Sequence, residues 1–217
     1  MDEESPLTRR GVRKTYDRIG SHFATTRAHP WPAVERFVER ATPTTDAWGL
    51  DLGCGNARHA ALLADRTDRV VGIDASRTVL DTARERIQDD GPGIALWQAD
   101  ATRLPLAADS VALGVYIATI HHLPSRAART GSLDELARVL APGGRALVSA
   151  WGTTHENFDR EAGFDTTVDW TLPDGETVPR YYHIYDPAEF ERDVRASALG
   201  VERTFEEAGN CYAVVCG

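Results

Sequence analysis

Short apolar runs alternate with helical patterns along the middle of the chain. Five such runs predict buried strands at 47–52, 69–74, 94–98, 110–120 and 145–151. Apolar residues at helical spacing predict helices at 57–65, 76–88 and 133–140, the last one ended by Pro142-Gly-Gly144. Strands that alternate with helices pair in parallel, because each crossover helix packs back onto the sheet. The pattern therefore predicts an α/β fold with helices on both faces of a mainly parallel sheet.

Both ends of the chain depart from this alternation. Residues 16–23 and 32–40 have helical spacing and are separated by two prolines. Near the other end, Asp186 is placed to cap a helix, and Glu189 is placed to complete a capping box. Two helices are therefore expected before the alternating region and one after it.

The remaining segments predict a loop and a hairpin. Residues 152–180 show no clear period, so we expect a long loop or insertion there. Residues 201–206 and 211–215 predict antiparallel strands at one edge of the sheet, with the turn at Gly209-Asn210. A chain of 217 residues is the size of one domain, so we expect all of these parts to share one core.

The charged residues are unusual in kind. The chain has 33 acidic and 24 basic residues, its net charge is −9, and Lys14 is its one lysine. This composition is similar to that of proteins from salt-loving archaea, whose solvated acidic surfaces stay soluble in concentrated salt. A high-GC genome that favours arginine codons is the alternative. The acidity argues weakly against a nucleic-acid partner, and concentrated salt would weaken that argument further by screening phosphate attraction.

The apolar segments and the cysteines exclude membrane, secreted and disulfide-rich proteins. Met1 to Pro6 is acidic and lacks the apolar core of an export signal, and the longest apolar run, 111–120, is about half a membrane span. Cys54, Cys211 and Cys216 are odd in number and have no metal-ligand spacing. We therefore expect a cytoplasmic protein with reduced thiols and no metal of its own.

Three acidic residues follow three successive predicted strands. Asp51 begins the sequence Asp-Leu-Gly-Cys-Gly-Asn after the first strand, Asp74 ends the second strand, and Asp100 follows the third. Glycines after the first strand let a backbone approach a ligand closely, and an acid in the position of Asp74 can accept hydrogen bonds from ribose hydroxyls. A carboxylate in the position of Asp100 can accept a hydrogen bond from the exocyclic amine of adenine. The three acids predict an adenosine-binding crevice, and the alternative is that each one merely caps the next helix.

These residues resemble class I S-adenosylmethionine-dependent methyltransferases over about 47–151, including Leu140-Ala-Pro-Gly-Gly144 before the fifth strand. NAD enzymes share the first glycine-rich turn, but the third glycine of their phosphate loop is absent here. The resemblance implies a Rossmann-like, mainly parallel seven-stranded sheet, helices on both faces and an antiparallel final hairpin. It also implies S-adenosylmethionine as the cofactor. The residues implied to bind it are Asp51, Gly53, Cys54, Gly55, Asn56, Asp74, Ala75, Asp100, Ala101 and Ile117.

Motifs outside this core resemble a narrower family. These motifs are 16–23, Thr26-Arg27, Pro30-Trp-Pro32, Ile120-His-His-Leu123, Arg180-Tyr-Tyr-His183 and Gly209-Asn210. Together they are similar to tRNA methyltransferases that esterify 5-carboxymethyluridine at the wobble position. Two residues depart from that family, because Ala57 stands where glycine is usual and Cys211 where tryptophan is common. The implied parts are N-terminal helices covering the active site at 1–46, a cofactor-binding core at 47–151, a substrate loop at 152–185, and a final helix and hairpin at 186–217.

The second resemblance implies a simple reaction at a carboxylate. A carboxylate with an ordinary pKa of about 4 is ionised at neutral pH, so no general base is required. Arginine suits holding a carboxylate or a phosphate through two parallel hydrogen bonds, and an aromatic ring can stack on a flipped-out base. The residues implied to act at the catalytic site are Arg27, Trp31, His121, Arg180 and Tyr182.

Other roles for these side chains stay open. His122 can replace His121 as the residue that orients the substrate, and Tyr181 can replace Tyr182 as the stacking ring. Arginines also serve surface solubility, and buried tyrosines commonly serve core packing. The basic cluster near the N-terminus is either a tRNA contact or a solvated helix face; it comprises Arg9, Arg10, Arg13 and Lys14.

The third predicted strand, 94–98, carries large apolar side chains and neither a charge nor a proline. In the usual strand order of this fold it lies at the sheet edge, and an unprotected edge invites pairing with another chain. The resemblance implies a small zinc-binding activator subunit, which would pair with this edge and contact Ile94, Leu96 and Trp97. The alternative is that a helix or loop of this chain covers the edge.

Two other functions fit the core motifs. A small-molecule methyltransferase would need the cofactor residues, whereas Arg27, Trp31 and Arg180 would be replaceable. A non-catalytic RNA-binding or regulatory subunit with this fold would transfer no methyl group, and the intact set of Asp51, Asp74 and Asp100 argues against it.

Overall fold

The computed structural model describes residues 7–42, 44–87 and 93–217. Met1 to Pro6, on which the expected lack of an export signal rests, lies outside these residues, as does Gln88 at the predicted end of a helix. The α-helices described are α1 (Arg9–Thr25), α2 (Pro32–Glu39), α3 (Ala60–Ala64), α4 (Arg77–Ile87), α5 (Arg126–Val139) and α6 (Pro187–Ala196). The strands described are β1 (Thr44–Leu52), β2 (Thr67–Asp74), β3 (Ile94–Gln98), β4 (Val111–Tyr116), β5 (Leu140–Trp151), β6 (Phe164–Thr171), β7 (Thr177–Ile184), β8 (Gly200–Glu207) and β9 (Asn210–Cys216).

Seven of these strands form one sheet in the order β3-β2-β1-β4-β5-β9-β8. The first five are parallel neighbours, whereas β9 pairs antiparallel with both β5 and β8. This arrangement confirms the predicted mainly parallel sheet with an antiparallel final hairpin. The strand order reverses beside β1, because β2 and β3 lie on one side of it and β4 and β5 on the other. In sheets of this kind, ligands bind in the crevice where the order reverses, at the carboxyl ends of the strands.

Helices cover both faces of the sheet and divide the core into two clusters of buried side chains. Phe190 of α6 lies in one cluster and Phe37 of α2 in the other. Along β9, Ala213 belongs to the first cluster and Tyr212 to the second, because successive side chains of a strand point to opposite faces. The near-continuous apolar runs of the sequence follow from this two-sided burial.

The loop expected over 152–180 is wrong for much of its length. Strands β6 and β7 form a separate antiparallel pair, with Phe164 opposite Ile184. Half-buried and exposed residues alternate along all eight positions of β6. The alternation is hard to see in the sequence, because Thr166 occupies one of the inward positions. The segment that was expected to be a substrate loop, 152–185, therefore consists largely of a hairpin.

Two predicted helix boundaries also need correction. The helix predicted at 133–140 spans Arg126–Val139, so it begins earlier and ends before Pro142-Gly-Gly144, which lies within β5. The helix predicted at 57–65 spans only Ala60–Ala64. The backbone conformation of the adjoining loops sets where these helices begin and end, and the spacing of apolar residues does not encode it.

The fourth strand and the final turn differ from expectation in a similar way. The apolar run 110–120 does not form one strand, because β4 ends at Tyr116 and a 3₁₀ turn follows at Ile120–His122. The final hairpin turns at Ala208-Gly209 rather than at Gly209-Asn210. Both turn residues have left-handed backbones, with φ of 49° and 71°, whereas Asn210 begins β9.

The start of α6 is only partly as predicted. The Asp186 carboxylate accepts hydrogen bonds from the backbone N–H groups of Ala188 and Glu189, so it caps the helix. The Glu189 side chain does not complete the capping box, because its carboxylate lies 2.9 Å from Nε2 of His183. That contact instead ties α6 to β7.

No helix in the described part of the chain has an apolar stretch long enough to cross a membrane. Among the same residues, no three or more His, Cys, Asp or Glu side chains are grouped so that they could hold a metal ion. The thiols of Cys54, Cys211 and Cys216 are free.

Candidate functional site

A cavity of about 410 Å³ opens at the carboxyl edge of the sheet, where the strand order reverses. Residues that follow the first four strands line it, at 52–56, 73–76, 99–101 and 117–119. Side chains of α1 and Trp31, the residue before α2, form a further wall. Its volume lies within the ~300–1,000 Å³ range of small-molecule sites.

Asp74 stands at the end of β2 with its carboxylate facing this cavity. One oxygen accepts a hydrogen bond from the backbone N–H of Ser76 at 2.9 Å, and the other accepts one from Gly55 at 3.1 Å. Burial raises the pKa of this carboxyl, although these N–H donors act in the opposite direction. The two oxygens offer four lone pairs to these donors, so the carboxylate can still accept a hydrogen bond from a ribose hydroxyl.

The glycines of the loop after β1 are required by its geometry. Gly53 and Gly55 both have left-handed backbones, with φ of 69° and 57°. A side chain on Gly53 would collide with Thr119, whereas one on Gly55 would enter open space in the cavity. Ala57, where the tRNA methyltransferases that this chain resembles usually have glycine, also has a left-handed backbone with φ of 60°. The loop therefore leaves room beside Gly55 for a ligand to approach the backbone.

Both carboxylate oxygens of Asp100, which is predicted to bind the adenine amine, have partners in this chain. One carboxylate oxygen accepts from the backbone N–H and the hydroxyl of Thr102, at 2.9 and 2.8 Å. The other oxygen pairs with the Arg9 guanidinium at 2.7 Å. An adenine amine bound at Asp100 would share this second oxygen with Arg9, so the start of α1 borders the adenine end of the cavity.

Two residues predicted to bind the cofactor have other contacts. Asp51 is fully buried below the loop and is not part of the cavity lining; its Oδ2 has no hydrogen-bond partner among the described residues. Burial raises the pKa of Asp51 to about 7. Asn56 lines the cavity, but its amide nitrogen donates to the carbonyls of Ala24 and Arg27 at 3.0 and 2.9 Å. Asn56 thus positions the end of α1 and the segment after it.

The remaining predicted cofactor residues lie in the cavity wall: Cys54, Ala75, Ala101 and Ile117. Taken with the open space at Gly55 and the free lone pair of Asp74, these residues fit S-adenosylmethionine. Asp74 would hold the ribose and Asp100 the adenine amine. Burial leaves the Asp51 carboxyl only partly ionised at neutral pH, and a positively charged ammonium group bound near it would favour its ionised form.

Aromatic rings surround the other end of the cavity. Trp151 and Tyr182 both line it and stack with their ring centroids 4.8 Å apart at 26°. His121 and His122 lie 4.9 and 4.4 Å from the Tyr182 ring. Tyr181 does not line the cavity, and its hydroxyl donates to Asp165 at 2.8 Å. Tyr182 is therefore the tyrosine of this pair that a substrate in the cavity can contact.

Both histidines are neutral at neutral pH. The backbone N–H of Trp151 donates to Nδ1 of His121 at 2.9 Å, so that nitrogen carries no proton. Nδ1 of His122 donates to the Tyr181 carbonyl at 2.9 Å. Burial lowers the pKa of His122 to about 3 and that of His121 well below its usual value. These rings can position a substrate, but they are not placed to take a proton from it.

Two arginines approach the aromatic end without an acidic partner. The Arg27 guanidinium lies 4.6 Å from the Phe23 ring centroid and faces the cavity, and burial lowers its pKa. Arg180 is buried behind the wall, 5.2 Å from the Tyr182 ring centroid, and its Nε and Nη1 have no hydrogen-bond partner. Within the described residues, neither guanidinium has a carboxylate within 4.0 Å. Buried cations with free donors favour an anionic ligand.

Trp31 occupies a different wall from the stacked pair. It is half-buried, and the Arg58 guanidinium lies 5.5 Å from its ring centroid. The backbone N–H of Trp31 donates to Nε2 of His59 at 3.4 Å. Trp31 therefore lines the cavity beside Arg58, where a base that enters the cavity can reach it.

Several residues of this site were missed by the sequence analysis. Trp151 was seen only as the end of a strand, Tyr16 only as part of a motif, and Trp170 lay in the expected loop. Trp170 of β6 lies 5.0 Å from Arg180 and 5.7 Å from Arg27, measured from the ring centroid to the guanidinium carbon. The period of two along β6 was the signal that would have placed Trp170 on an inward face.

Comparison with known proteins agrees with this picture. A methyltransferase domain model matches residues 50–144. A candidate methyltransferase of Encephalitozoon cuniculi is 32% identical over 191 residues, which cover 85% of this chain and 85% of that protein. The tRNA (carboxymethyluridine(34)-5-O)-methyltransferase of Saccharomyces cerevisiae is 30% identical, covering 78% of this chain and 59% of the relative. The mouse enzyme ALKBH8 is 34% identical over 71% of this chain, which spans about a fifth (22%) of the mouse protein.

Two solved structures share the fold at low sequence identity. One is a complex between the Haloferax volcanii Trm112 methyltransferase activator and a candidate methyltransferase, with a TM-score of 0.69, 17% identity and coverage of 94% and 96% of the two chains. The other is the CcbJ methyltransferase of Streptomyces caelestis, with a TM-score of 0.70, 16% identity and coverage of 95% and 97%.

Proposed function

The chain belongs to the family of S-adenosylmethionine-dependent methyltransferases that includes these tRNA (carboxymethyluridine(34)-5-O)-methyltransferases, and from that premise we propose its reaction. It esterifies the carboxylate of 5-carboxymethyluridine at the wobble position of a tRNA. The observation that carries this proposal is the pair Arg27 and Arg180, two cations without acidic partners beside stacked aromatic rings.

The chain's own residues supply binding and orientation. S-adenosylmethionine, when bound, supplies an electrophilic methyl group. Arg27, which lines the cavity, holds the carboxylate, and the charge of Arg180 behind the wall attracts it, while Tyr182 and Trp151 form the aromatic surface on which the uracil ring stacks. Alignment of two bound reactants can supply ~7–11 kcal/mol of the barrier, so positioning is the main catalytic contribution that these residues make.

The neutral histidines suit a nucleophile that needs no base. A carboxylate is ionised at neutral pH, so no proton has to be removed before the methyl group is transferred. His121 and His122 keep the Tyr182 ring in place through contacts at 4.9 and 4.4 Å. Because both rings are neutral, the positive charge at this end of the cavity belongs to the arginines, which are the groups that attract the carboxylate.

A partner at the β3 edge forms the second part of the proposal. Strand β3 pairs only with β2 in the described sheet, which supports strand addition by a small zinc-binding activator subunit. Leu96 and Trp97 are half-buried and pack against opposite core clusters of this chain. Backbone groups of β3, together with what remains exposed of Ile94, Leu96 and Trp97, are therefore the surface that the partner would contact. The zinc would belong to that partner.

The test uses a tRNA that carries 5-carboxymethyluridine at position 34, beside the same tRNA with unmodified uridine there. The chain, co-purified with its activator, is expected to form a methyl ester on the first tRNA only, and mild alkali should return it to the acid in nucleoside mass spectrometry. Arg27→Lys keeps the charge but loses the planar fork, so turnover should fall sharply while S-adenosylmethionine binding persists. Arg192→Lys, an exposed change on α6, is the matched control.

Two results would contradict the proposal. If the parent complex methylates neither tRNA, or both equally, the carboxylate is not its substrate. If Arg27→Lys and Arg192→Lys turn over the modified tRNA at the same rate, Arg27 does not hold the carboxylate.

A further inference from the structure

The segment between α1 and α2, residues 26–31, is held by arginines from two other parts of the chain. Nη2 of Arg86, near the end of α4, donates to the Ala28 carbonyl at 2.8 Å. Nη1 of Arg58, which follows the glycine-rich loop, reaches the His29 carbonyl at 3.4 Å. The two guanidinium groups thus contact adjacent peptide units, and they are near enough for the charge of Arg86 to lower the pKa of Arg58.

This arginine pair, Arg58 and Arg86, lacks the partners that many other arginines of the chain have. Arg18 pairs with Glu176, and Arg36 with Glu207, as expected for a chain with a net charge of −9. Neither Arg58 nor Arg86 has a carboxylate within 4.0 Å in the part of the chain that the structure describes. Peptide carbonyls are neutral, so their hydrogen bonds do not neutralise the positive charges of Arg58 and Arg86.

The surroundings of Arg58 also leave its positive charge poorly neutralised. Burial lowers the pKa of Arg58 to about 10, and repulsion by Arg27 and Arg86 acts in the same direction. Asp51 is the acidic group whose charge acts on Arg58, and its own raised pKa leaves it only partly ionised at neutral pH. The charges of three arginines thus act on one another here, and the carboxyl whose charge acts on Arg58 is only partly ionised, so a bound anion would stabilise the group.

The position of the pair suggests which anion. Arg58 and Trp31 line the same cavity as Tyr182, whereas Ala28 and His29 are exposed to solvent at its mouth. A nucleotide whose base enters the cavity would leave its sugar–phosphate backbone at this mouth. Guanidinium groups match phosphate oxygens through two parallel hydrogen bonds, and Arg86 is half-exposed and accessible from outside.

We infer that Arg58 and Arg86 form a binding site for a backbone phosphate of the RNA next to the target nucleotide. The inference rests on the proposed function, because it takes the substrate to be an RNA whose base enters the cavity. Arg27 contacts the Phe23 and Trp170 rings and its charge also acts on Arg58, so the carboxylate and the phosphate would bind to neighbouring arginines.

The test compares three double variants with the parent, each checked by thermal melting. Arg58→Gln/Arg86→Gln removes the pair, Arg58→Lys/Arg86→Lys keeps its charge, and Arg192→Gln/Arg203→Gln removes the same charge from two exposed positions elsewhere. Affinity for an unmodified anticodon stem-loop RNA is measured at several salt concentrations. Affinity for S-adenosylmethionine is measured by titration calorimetry.

The glutamine pair should weaken RNA binding and flatten the plot of log affinity against log salt by about 0.7–0.9 per lost phosphate contact. The lysine pair should keep most of the parental slope, and the Arg192/Arg203 control should match the parent. A merely structural role for Arg58 and Arg86 would not produce this change of slope with rescue by lysine.

Other outcomes overturn the inference. RNA affinity and slope of the glutamine pair equal to those of the control would do so, as would a parent that binds no RNA. A loss of S-adenosylmethionine affinity with unchanged RNA binding would assign Arg58 to the cofactor instead. Since the RNA is unmodified and no methyl group is transferred, this test can fail while the parent still esterifies 5-carboxymethyluridine, and the two failures are distinguishable.

Discussion

The Tyr16 hydroxyl donates a hydrogen bond of 2.8 Å to Nε2 of His122. The direction is fixed because Nδ1 of His122 donates to the Tyr181 carbonyl at 2.9 Å, and burial keeps the ring neutral by lowering its pKa to about 3. One imidazole therefore links α1 to β7 across the aromatic end of the cavity. His122 thus fixes the position of α1 relative to the β6–β7 hairpin, which carries Arg180 and Tyr182.

The first prediction concerns this link. Tyr16→Phe keeps the ring but leaves the buried Nε2 of His122 without its donor, which costs about 1–3 kcal/mol. Because the link orients the substrate end of the cavity, kcat/KM for modified tRNA should fall by up to roughly 5- to 140-fold at 1.4 kcal/mol per factor of ten. Steady-state kinetics measures the effect.

Tyr181→Phe is the matched control for that change. It removes the hydroxyl that donates to Asp165 at 2.8 Å, away from the cavity. It should lower thermal stability with little change in kcat/KM. Equal kcat/KM losses in the two variants would show that the Tyr16–His122 bond has no specific role in substrate positioning.

The sequence predicted those parts of the fold that follow from a local pattern, such as a strand followed by an acidic residue. Asp74 and Asp100 were placed correctly at the carboxyl edge, because residues that end parallel strands meet there whatever else the chain does. The β6–β7 hairpin was missed, because its period of two is carried partly by Thr166 rather than by apolar residues alone. A hairpin outside the main sheet also gives no alternation with helices.

Contacts between distant segments could not be predicted in the same way. Trp170 lies against Arg27 and Arg180 only because β6 folds back toward α1, and no local pattern of the sequence encodes that approach. The choice between Tyr181 and Tyr182 was also left open. The hairpin register decides it, since adjacent residues of β7 point to opposite faces.

The second prediction concerns Asp51 and pH. The folded chain raises the pKa of this carboxyl to about 7, so it holds its proton at pH values where the unfolded chain, with a pKa of about 4, has released it. Its contribution to stability is therefore present below about pH 4 and is lost as the pH rises toward 7, at about 1.4 kcal/mol per unit. Asp51→Asn removes this dependence.

Thermal melts of the cofactor-free proteins should show the difference. At pH 8 Asp51→Asn should melt above the parent, by about 2–4 °C for each kcal/mol recovered, and the gap should shrink toward pH 4. Asp81→Asn makes the same change at an exposed position of α4 and serves as the control. A gap between Asp51→Asn and the parent that is the same at pH 5 and pH 8 would exclude a raised pKa at this position.

The third prediction concerns cofactor affinity. Asp74→Asn keeps one oxygen that can accept the Ser76 or Gly55 N–H but loses the charge that would strengthen bonds to ribose hydroxyls. A hydrogen bond to a charged group is worth ~1.5–3 kcal/mol, so the Kd for S-adenosylmethionine should rise roughly 10- to 150-fold. Calorimetric titration measures it, with Asp81→Asn as the control on the adjoining helix. An unchanged Kd in a folded Asp74→Asn protein would remove Asp74 from the cofactor site.

The fourth prediction depends on which backbone groups of β3 face away from β2. The Gly93 carbonyl accepts from Val70, and the Ala99 N–H donates to Asp74, so odd-numbered residues here point toward β2. Even-numbered residues, including Gln98, then present their N–H groups at the free edge. Leu96→Asp would disturb the core cluster in which Leu96 packs, so it cannot separate a lost interface from lost folding.

Gln98 offers a cleaner variant, because its side chain is exposed. Gln98→Pro removes the outward N–H of an edge strand, a position where proline is tolerated within a sheet, whereas Gln98→Ala removes only the side chain. If an activator adds a strand to this edge, tagged Gln98→Pro should recover much less of the small zinc-containing subunit than the parent, and Gln98→Ala should recover as much as the parent. Zinc analysis of the purified complexes measures the ratio. Equal recovery by the two variants, or a parent that is monomeric and fully active alone, would place the activator elsewhere or remove the need for one.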